Sequence, residues 1–168
     1  MSEKAKKVCF AILPLAGEFE DVYHFGIQEA AHSRGYLCER IDQDAFAAGP
    51  ILQTIIRRLV IADLVIVDLS EPNPNTYYEL GIVHALGTPV IAIARSTERI
   101  PFDFRDQSVL VYRQIGELRQ QLEREISEIE AHAPQTSPVL QAVPSLDRVP
   151  KSELNELERR FKETKVPA

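Results

Sequence analysis

Short apolar runs alternate along this chain with segments in which apolar residues recur every three or four positions. The short runs end at Pro, Gly or polar residues, a pattern typical of strands that are buried on both faces of a parallel sheet. We predict five such strands, at residues 8–13, 36–41, 63–69, 88–94 and 108–112.

The segments between these strands have the spacing of amphipathic helices, at residues 18–34, 50–59, 76–86 and 115–131. The third of them has signals at both ends, because Asn73 and Pro74 suit an N-cap and first helical position, and Gly87 suits a C-terminal stop. Alternation of five strands with helices favours right-handed crossovers and a three-layer, doubly wound α/β fold. We predict a five-stranded parallel sheet in the flavodoxin-like order 2-1-3-4-5.

The 168 residues suffice for one core and are too few for two. We assign residues 1–132 to the α/β domain and residues 133–150, which hold four prolines, to a linker. This linker is predicted to be extended and poorly packed, since prolines remove backbone donors. Residues 151–168 are expected to form a short amphipathic helix, either a weakly docked tail or a contact within a homo-oligomer.

Charge and composition narrow the classes of partner. A net charge of −6 and a pI of about 5.3 argue against nucleic-acid binding, which needs a clustered cationic surface, and favour a small molecule or a protein. Asp63 and Asp68 interrupt the longest apolar run, so we expect no membrane contact. Cys9 and Cys38 fall in predicted strands and are expected to be buried, reduced thiols, as suits the cytoplasm.

The sequence carries no spacing of Cys and His that is typical of a metal site, and no GxGxxG phosphate motif. We therefore expect neither a metal nor a cofactor. His24, His32 and His84 fall in predicted helices without a catalytic partner at a suitable spacing, and are expected to be structural or surface groups.

Candidate ligand-binding residues follow from the predicted topology. Open parallel sheets bind ligands beyond the carboxyl ends of their strands, where the strand order reverses. In the predicted order this place lies between the first and third strands, so the loops that begin at Pro14 and Asp68 flank it. Asp42 lies after the second strand, where an acidic group often meets a sugar hydroxyl. Phe102 and Asp103 lie in an arginine-rich loop after the fourth strand, which suits the binding of a nucleotide.

Glu79 lies on the apolar stripe of the third predicted helix, in line with Ile82, Val83 and Leu86. A carboxylate on a buried helix face costs free energy unless it is paired or used, and the tilt of Cβ directs it towards the helix N-terminus and the crevice. Glu79 is therefore either a functional carboxylate or one that Tyr or backbone donors satisfy.

Four polar residues follow each other closely at the end of the third strand: Asp68, Ser70, Asn73 and Asn75. Their donors and acceptors suit a ribose or a phosphate. The alternative is purely local, with Asp68 and Ser70 in a turn and Asn73 as a helix cap.

Taken together, four stretches resemble the nucleoside 2-deoxyribosyltransferase-like superfamily. They are Ile61-Ala-Asp-Leu-Val-Ile-Val-Asp-Leu-Ser, Asn73-Pro-Asn-Thr-Tyr-Tyr-Glu-Leu-Gly, His84-Ala-Leu-Gly-Thr-Pro and Pro101-Phe-Asp. The resemblance covers roughly residues 8–112 and implies that Glu79, in the Glu-Leu-Gly step, is the nucleophile at the anomeric carbon. It also implies that the loop after the first strand encloses the sugar and phosphate, which adds Gly17 and Tyr23 to Pro14 as candidate binding residues.

A second resemblance is to Toll/interleukin receptor domains, whose NAD-cleaving members use a glutamate on a corresponding helix. Both chemistries break a C–N glycosidic bond through an oxocarbenium-like transition state that a carboxylate stabilises. We expect a transferase or hydrolase of a nucleoside, nucleotide or NAD-like substrate, with Glu79 and Asp68 as its catalytic residues. The alternative is a non-catalytic nucleotide-sensing or interaction domain. It is favoured by one departure, since residues 53–58 lack the aspartate that the family carries before the third strand.

Overall fold

The protein folds around a five-stranded sheet. The computed structural model describes residues 6–40, 51–105, 107–132, 137–146 and 151–163. The strands are Lys7–Ile12 (β1), Tyr36–Arg40 (β2), Leu64–Asp68 (β3), Val90–Ala94 (β4) and Val109–Val111 (β5). Every strand pair is parallel and the order is β2-β1-β3-β4-β5, which confirms the predicted fold.

Helices cover both faces of this sheet. They are Glu29–Ser33 (α1), Ile51–Ile61 (α2), Pro74–Leu86 (α3), Phe102–Arg105 (α4), Ile115–Ala131 (α5), Pro138–Ala142 (α6) and Lys151–Glu163 (α7). One face carries α1 and α5, and the other carries α2 and α3. Within the part of the chain that the structure describes, no helix combines the length and the apolar character needed to cross a membrane.

The central position of β3 in the sheet explains why residues 64–67 form a continuous apolar run. All five of its residues are buried, and successive side chains enter opposite faces of the sheet. Leu64 and Ile66 pack in the core beneath α1 and α5, whereas Val65 and Val67 pack in the core beneath α2 and α3. Two apolar cores, one on each face, therefore hold the sheet.

The helix predicted at residues 18–34 is built from three kinds of helical turn. A 3₁₀ turn at Gly17–Phe19 precedes a π-helix at Val22–Gln28, and α1 completes the segment. A Cβ on Gly26 would lie 2.9 Å from Cδ2 of Leu118 on α5. A glycine at this position thus lets the wide π-helix approach α5 closely.

The segment after α5 differs from its prediction. The Ser137 side chain is buried, donates its hydroxyl to the backbone carbonyl of His84 at the end of α3, and caps the short helix α6. Helix α6 contacts α3, and α7 contacts α2. The prediction of an extended, poorly packed linker is wrong for residues 137–142, because the Ser-Pro pair starts a helix. Residues 143–146 of the predicted linker are exposed, and its residues 133–136 and 147–150 lie outside the described residues.

Candidate functional site

A crevice opens at the carboxyl edge of the sheet, on the face that α2 and α3 cover. It has a volume of 450 Å³, which is within the usual range for small-molecule sites. Its walls come from the end of β1 and the turn after it, the end of β2, the start of α2 and the first half of α3. The residues that line it are Phe10, Ala11, Ile12, Leu13, Pro14, Leu15, Arg40, Ile51, Leu52, Ile55, Asn73, Asn75, Thr76, Tyr78 and Glu79.

Local sequence fixes the position of α3 and therefore of Glu79. The Asn73 side chain accepts a hydrogen bond of 2.9 Å from the backbone N–H of Asn75, and Pro74 occupies the first helical position. At the other end Gly87 adopts the left-handed conformation, with φ of 69°, which glycine reaches without strain. These two signals determine where α3 begins and ends, so Glu79 lies in its second turn and lines the crevice.

The Glu79 carboxyl is half-buried among mostly apolar neighbours. Within the described residues it has no hydrogen-bond or ion-pair partner. Burial alone raises the pKa of Glu79 to about 7, because the charged form loses hydration. At neutral pH the group therefore exists in both forms, as a proton donor and as a carboxylate that is free to attack or to stabilise a cation.

Asp68, the other predicted catalytic carboxylate, does not line this crevice. It is 1% exposed; the Tyr112 hydroxyl donates to its Oδ2 at 2.7 Å and the Ser70 backbone N–H donates to its Oδ1 at 2.8 Å. The Ser70 hydroxyl in turn accepts from the backbone N–H of Arg95 at 2.9 Å. Burial raises the pKa of Asp68, while the hydrogen bonds from Ser70 and Tyr112 lower it. Asp68 thus connects the ends of β3, β4 and β5. It forms the local turn with Ser70 that the sequence analysis gave as the alternative to a ligand-binding role.

The structure brings some of the predicted site residues together and keeps others apart. Those that line the crevice are Pro14, Asn73, Asn75 and Glu79. Those outside its lining are Gly17, Tyr23, Asp68, Ser70, Phe102 and Asp103. Asp42 lies outside the described residues.

Two aromatic residues show why position along the chain was insufficient to predict which side chains line the crevice. Tyr23 is buried in the core beneath α5, and its hydroxyl donates to the backbone carbonyl of Cys38 at 3.3 Å. Phe102 is 78% exposed on α4, whereas Phe104 packs against Tyr77, with ring centroids 4.9 Å apart and ring planes tilted by 32°. The packed ring of the predicted nucleotide loop is therefore Phe104, which lies against α3 outside the crevice lining.

The sequence pattern did not single out Arg40, which ends β2 and lines the crevice with a side chain that is 11% exposed. Its Nη2 donates to both carboxylate oxygens of Glu20, at 2.6 and 2.8 Å. Its guanidinium lies 4.4 Å from the centroid of the Tyr23 ring. The rule that ligands bind beyond carboxyl strand ends applies equally to this residue. The sequence showed only helical periodicity at Leu52 of α2 and at the exposed Tyr78, and nothing in it indicated that these residues line the crevice.

No group of three or more His, Cys, Asp or Glu in the described ranges is arranged to hold a metal ion. No protein-family model matches the sequence, and no curated protein matches it either. The fold and the site define a doubly wound, flavodoxin-like α/β protein with a crevice where the strand order reverses. Glu79 is the only acidic residue among the described residues that line it.

Proposed function

We propose that this protein is an N-glycosidic-bond enzyme, acting on a nucleoside, nucleotide or NAD-like substrate with Glu79 at the anomeric carbon. One observation carries the proposal: the Glu79 carboxyl is half-buried in an apolar crevice without a partner among the described residues, and its pKa is raised to about 7. A carboxyl group held in this way costs free energy, and such groups concentrate at functional sites. The resemblance in sequence supplies the class of reaction, and the position of the crevice supports a nucleotide-sized ligand.

The proposed reaction uses the ionised form of Glu79. A carboxylate oxygen bonds to the anomeric carbon while the C–N bond breaks, and the electron pair leaves with the base. The base of a nucleoside or nucleotide takes a proton from water, whereas the nicotinamide of an NAD-like substrate leaves as a neutral molecule. Water then cleaves the glycosyl ester to give hydrolysis, or a nitrogen of a second base does so to give transfer. Apolar walls strengthen the attraction between the carboxylate and the cationic sugar, because they lower the local dielectric constant.

The test is release of free base from a panel of nucleosides, deoxynucleotides and NAD, followed by chromatography. We expect turnover of at least one compound, and a loss of about 100-fold or more in Glu79→Gln, which keeps size but removes charge. Glu71→Gln is the matched control, since Glu71 is exposed and does not line the crevice. Base release by the wild type is expected to increase with pH through about 7, because only ionised Glu79 attacks. Similar rates in the wild type and Glu79→Gln would refute the role of Glu79.

A second candidate is a non-catalytic nucleotide-sensing domain of the same fold. The observation that favours it is Asp68, whose carboxylate is occupied by Tyr112 and Ser70 and does not accompany Glu79 in the crevice. Binding of a compound from the panel without any base release would support this candidate over the enzyme.

A further inference from the structure

Tyr78 presents an exposed aromatic ring to the crevice. The residue is 56% exposed, and it lines the cavity beside Glu79. Among the exposed large apolar side chains of the described ranges, Tyr78 and Leu52 are the two that line this cavity. Apolar groups that are exposed within a concave pocket, rather than scattered over a surface, are typical of ligand contacts.

The Tyr78 side chain has no hydrogen-bond, cation–π or aromatic partner among the described residues. Each of the other four tyrosines of the chain uses its ring or its hydroxyl in such a contact. The pairs are Tyr23 with Arg40, Tyr36 with Lys7, Tyr77 with Phe104 and Tyr112 with Asp68. Tyr78 therefore has the one tyrosine ring that the described part of the fold leaves open to a ligand.

Tyr78 and Glu79 line the cavity from one face of α3. Asn75 precedes them by three and four positions and lines the cavity with them, and this is the spacing of neighbours on a helix surface. In a nucleoside the base is bonded directly to the anomeric carbon. A base whose anomeric carbon lies at the Glu79 carboxylate therefore lies against a wall next to Glu79, and Tyr78 is part of that wall.

Helix α2 adds apolar side chains to the same cavity. Ile51, Leu52 and Ile55 line it, and their side chains carry neither donors nor acceptors. Sugar hydroxyls placed against them would lose hydration without gaining hydrogen bonds, whereas the face of a heteroaromatic ring gains free energy from burial. These walls therefore suit the base of a nucleoside better than its sugar.

We infer that Tyr78 is the stacking platform for the base of the substrate, with Leu52 bordering the same base. This inference rests on the proposed function, and it narrows the substrate class. Stacking depends on the area of the ring system more than on its hydrogen-bonding edge, because every base offers an aromatic face. The site accordingly prefers purine nucleosides and nucleotides to those with a single-ring base.

The test is titration calorimetry with adenosine, inosine, cytidine and ribose, in a Glu79→Gln background so that no base is released during the titration. We expect adenosine and inosine to bind with similar affinity, about threefold or more tighter than cytidine, and ribose to bind most weakly. Tyr78→Leu keeps apolar area but removes the ring, and it is expected to weaken adenosine binding about fivefold or more, whereas Tyr78→Phe keeps the affinity. Phe25→Leu is the matched control, since Phe25 is 57% exposed and does not line the crevice.

Sedimentation velocity of the same proteins tests the other occupant of an apolar pocket, a second copy of this chain. A change of oligomeric state in Tyr78→Leu without a change in adenosine affinity would overturn the inference. It would also be overturned if Tyr78→Leu bound adenosine as tightly as its parent, if ribose bound as tightly as adenosine, or if no nucleoside bound at all. Release of base by the wild type is measured separately, so each of these results leaves the test of the proposed function intact.

Discussion

Burial distinguishes Glu79 from most other carboxylates in the part of the chain that the structure describes. Exposed acidic residues such as Glu71 remain in water, whereas the Glu79 carboxyl lies against apolar side chains and lacks a compensating partner among the described residues. The cause of its raised pKa is desolvation alone, so the same physical effect that prepares the group for chemistry also costs folding free energy.

This cost predicts how stability depends on pH. The pKa of Glu79 rises from 4.5 to about 7 on folding, so the folded state disfavours ionisation, and stability is lost as pH increases from 4.5 through 7. Glu79→Gln removes this loss. We expect it to match the wild type at pH 4.5 and to exceed it by roughly 1–2 kcal/mol at pH 8, a value reduced for partial solvent screening.

Urea unfolding at both pH values, with Glu71→Gln as the control, measures the difference. A Glu79→Gln protein that is no more stable than the wild type at pH 8 would mean that the carboxyl is well solvated or paired, and it would remove the main support for a functional Glu79.

Among the secondary-structure elements, α3 bears most directly on the site. Its cap residue Asn73 and the first-turn residues Asn75 and Thr76 line the crevice wall, and its second turn supplies Glu79. The cap at Asn73 satisfies a backbone N–H that has no partner inside the helix. The start of α3 therefore determines both the stability of the helix and the placement of the carboxyl.

We predict that Asn73→Ala lowers the free energy of unfolding by about 1 kcal/mol, because it removes this cap. Asn73→Ser keeps a side-chain acceptor and is expected to restore most of the loss. Asn75→Ala is the matched control, since it removes an exposed asparagine from the same turn without removing the capping oxygen. Equilibrium urea denaturation of the four proteins decides the matter, and equal losses in Asn73→Ala and Asn75→Ala would contradict the capping role.

At the scale of the whole molecule, the chain after α5 returns to the face that carries the crevice. Helix α6 contacts α3 and α7 contacts α2, and these are the two helices that form the crevice walls. The Ser137 hydroxyl connects this segment to the carbonyl of His84, at the opposite end of α3 from the cap. Both ends of α3 are thus fixed by side chains, one local in sequence and one distant.

Ser137→Ala is expected to destabilise the protein by about 1 kcal/mol, since it removes a buried hydrogen bond and the cap of α6. Ser145→Ala changes an exposed serine of the same segment and is expected to have no effect. Amide hydrogen exchange would show faster exchange in α6 and in the last turn of α3 for the first variant alone. If exchange there is unchanged in Ser137→Ala, the contact does not hold the segment on α3.

The sequence by itself determined the strand order and most element limits. The two ends of α3, at the Asn73-Pro74 pair and at Gly87, depend on residues within a few positions. Apolar residues that recur with a period of two or 3.6 indicate which faces are buried. The edge of the sheet at which the crevice opens also followed, because parallel crossovers place the carboxyl ends of the strands at one edge, but the residues that line it did not all follow. Glu79 was singled out by the same local pattern, since its own helix stripe shows the conflict between charge and burial.

Only the tertiary structure decided which polar groups share the crevice. Successive residues of β3 face opposite cores, so Asp68 turns away from Val67 and meets Tyr112, a residue 44 positions later in the chain. Arg40 joins Glu79 in the cavity because β2 ends and α3 begins at the same edge of the sheet, although the two are far apart in sequence. Contacts of this kind depend on the direction of each side chain at a packed surface, and in a strand a shift of one residue moves the side chain to the opposite face of the sheet. No local sequence pattern indicates which distant residue packs against that face.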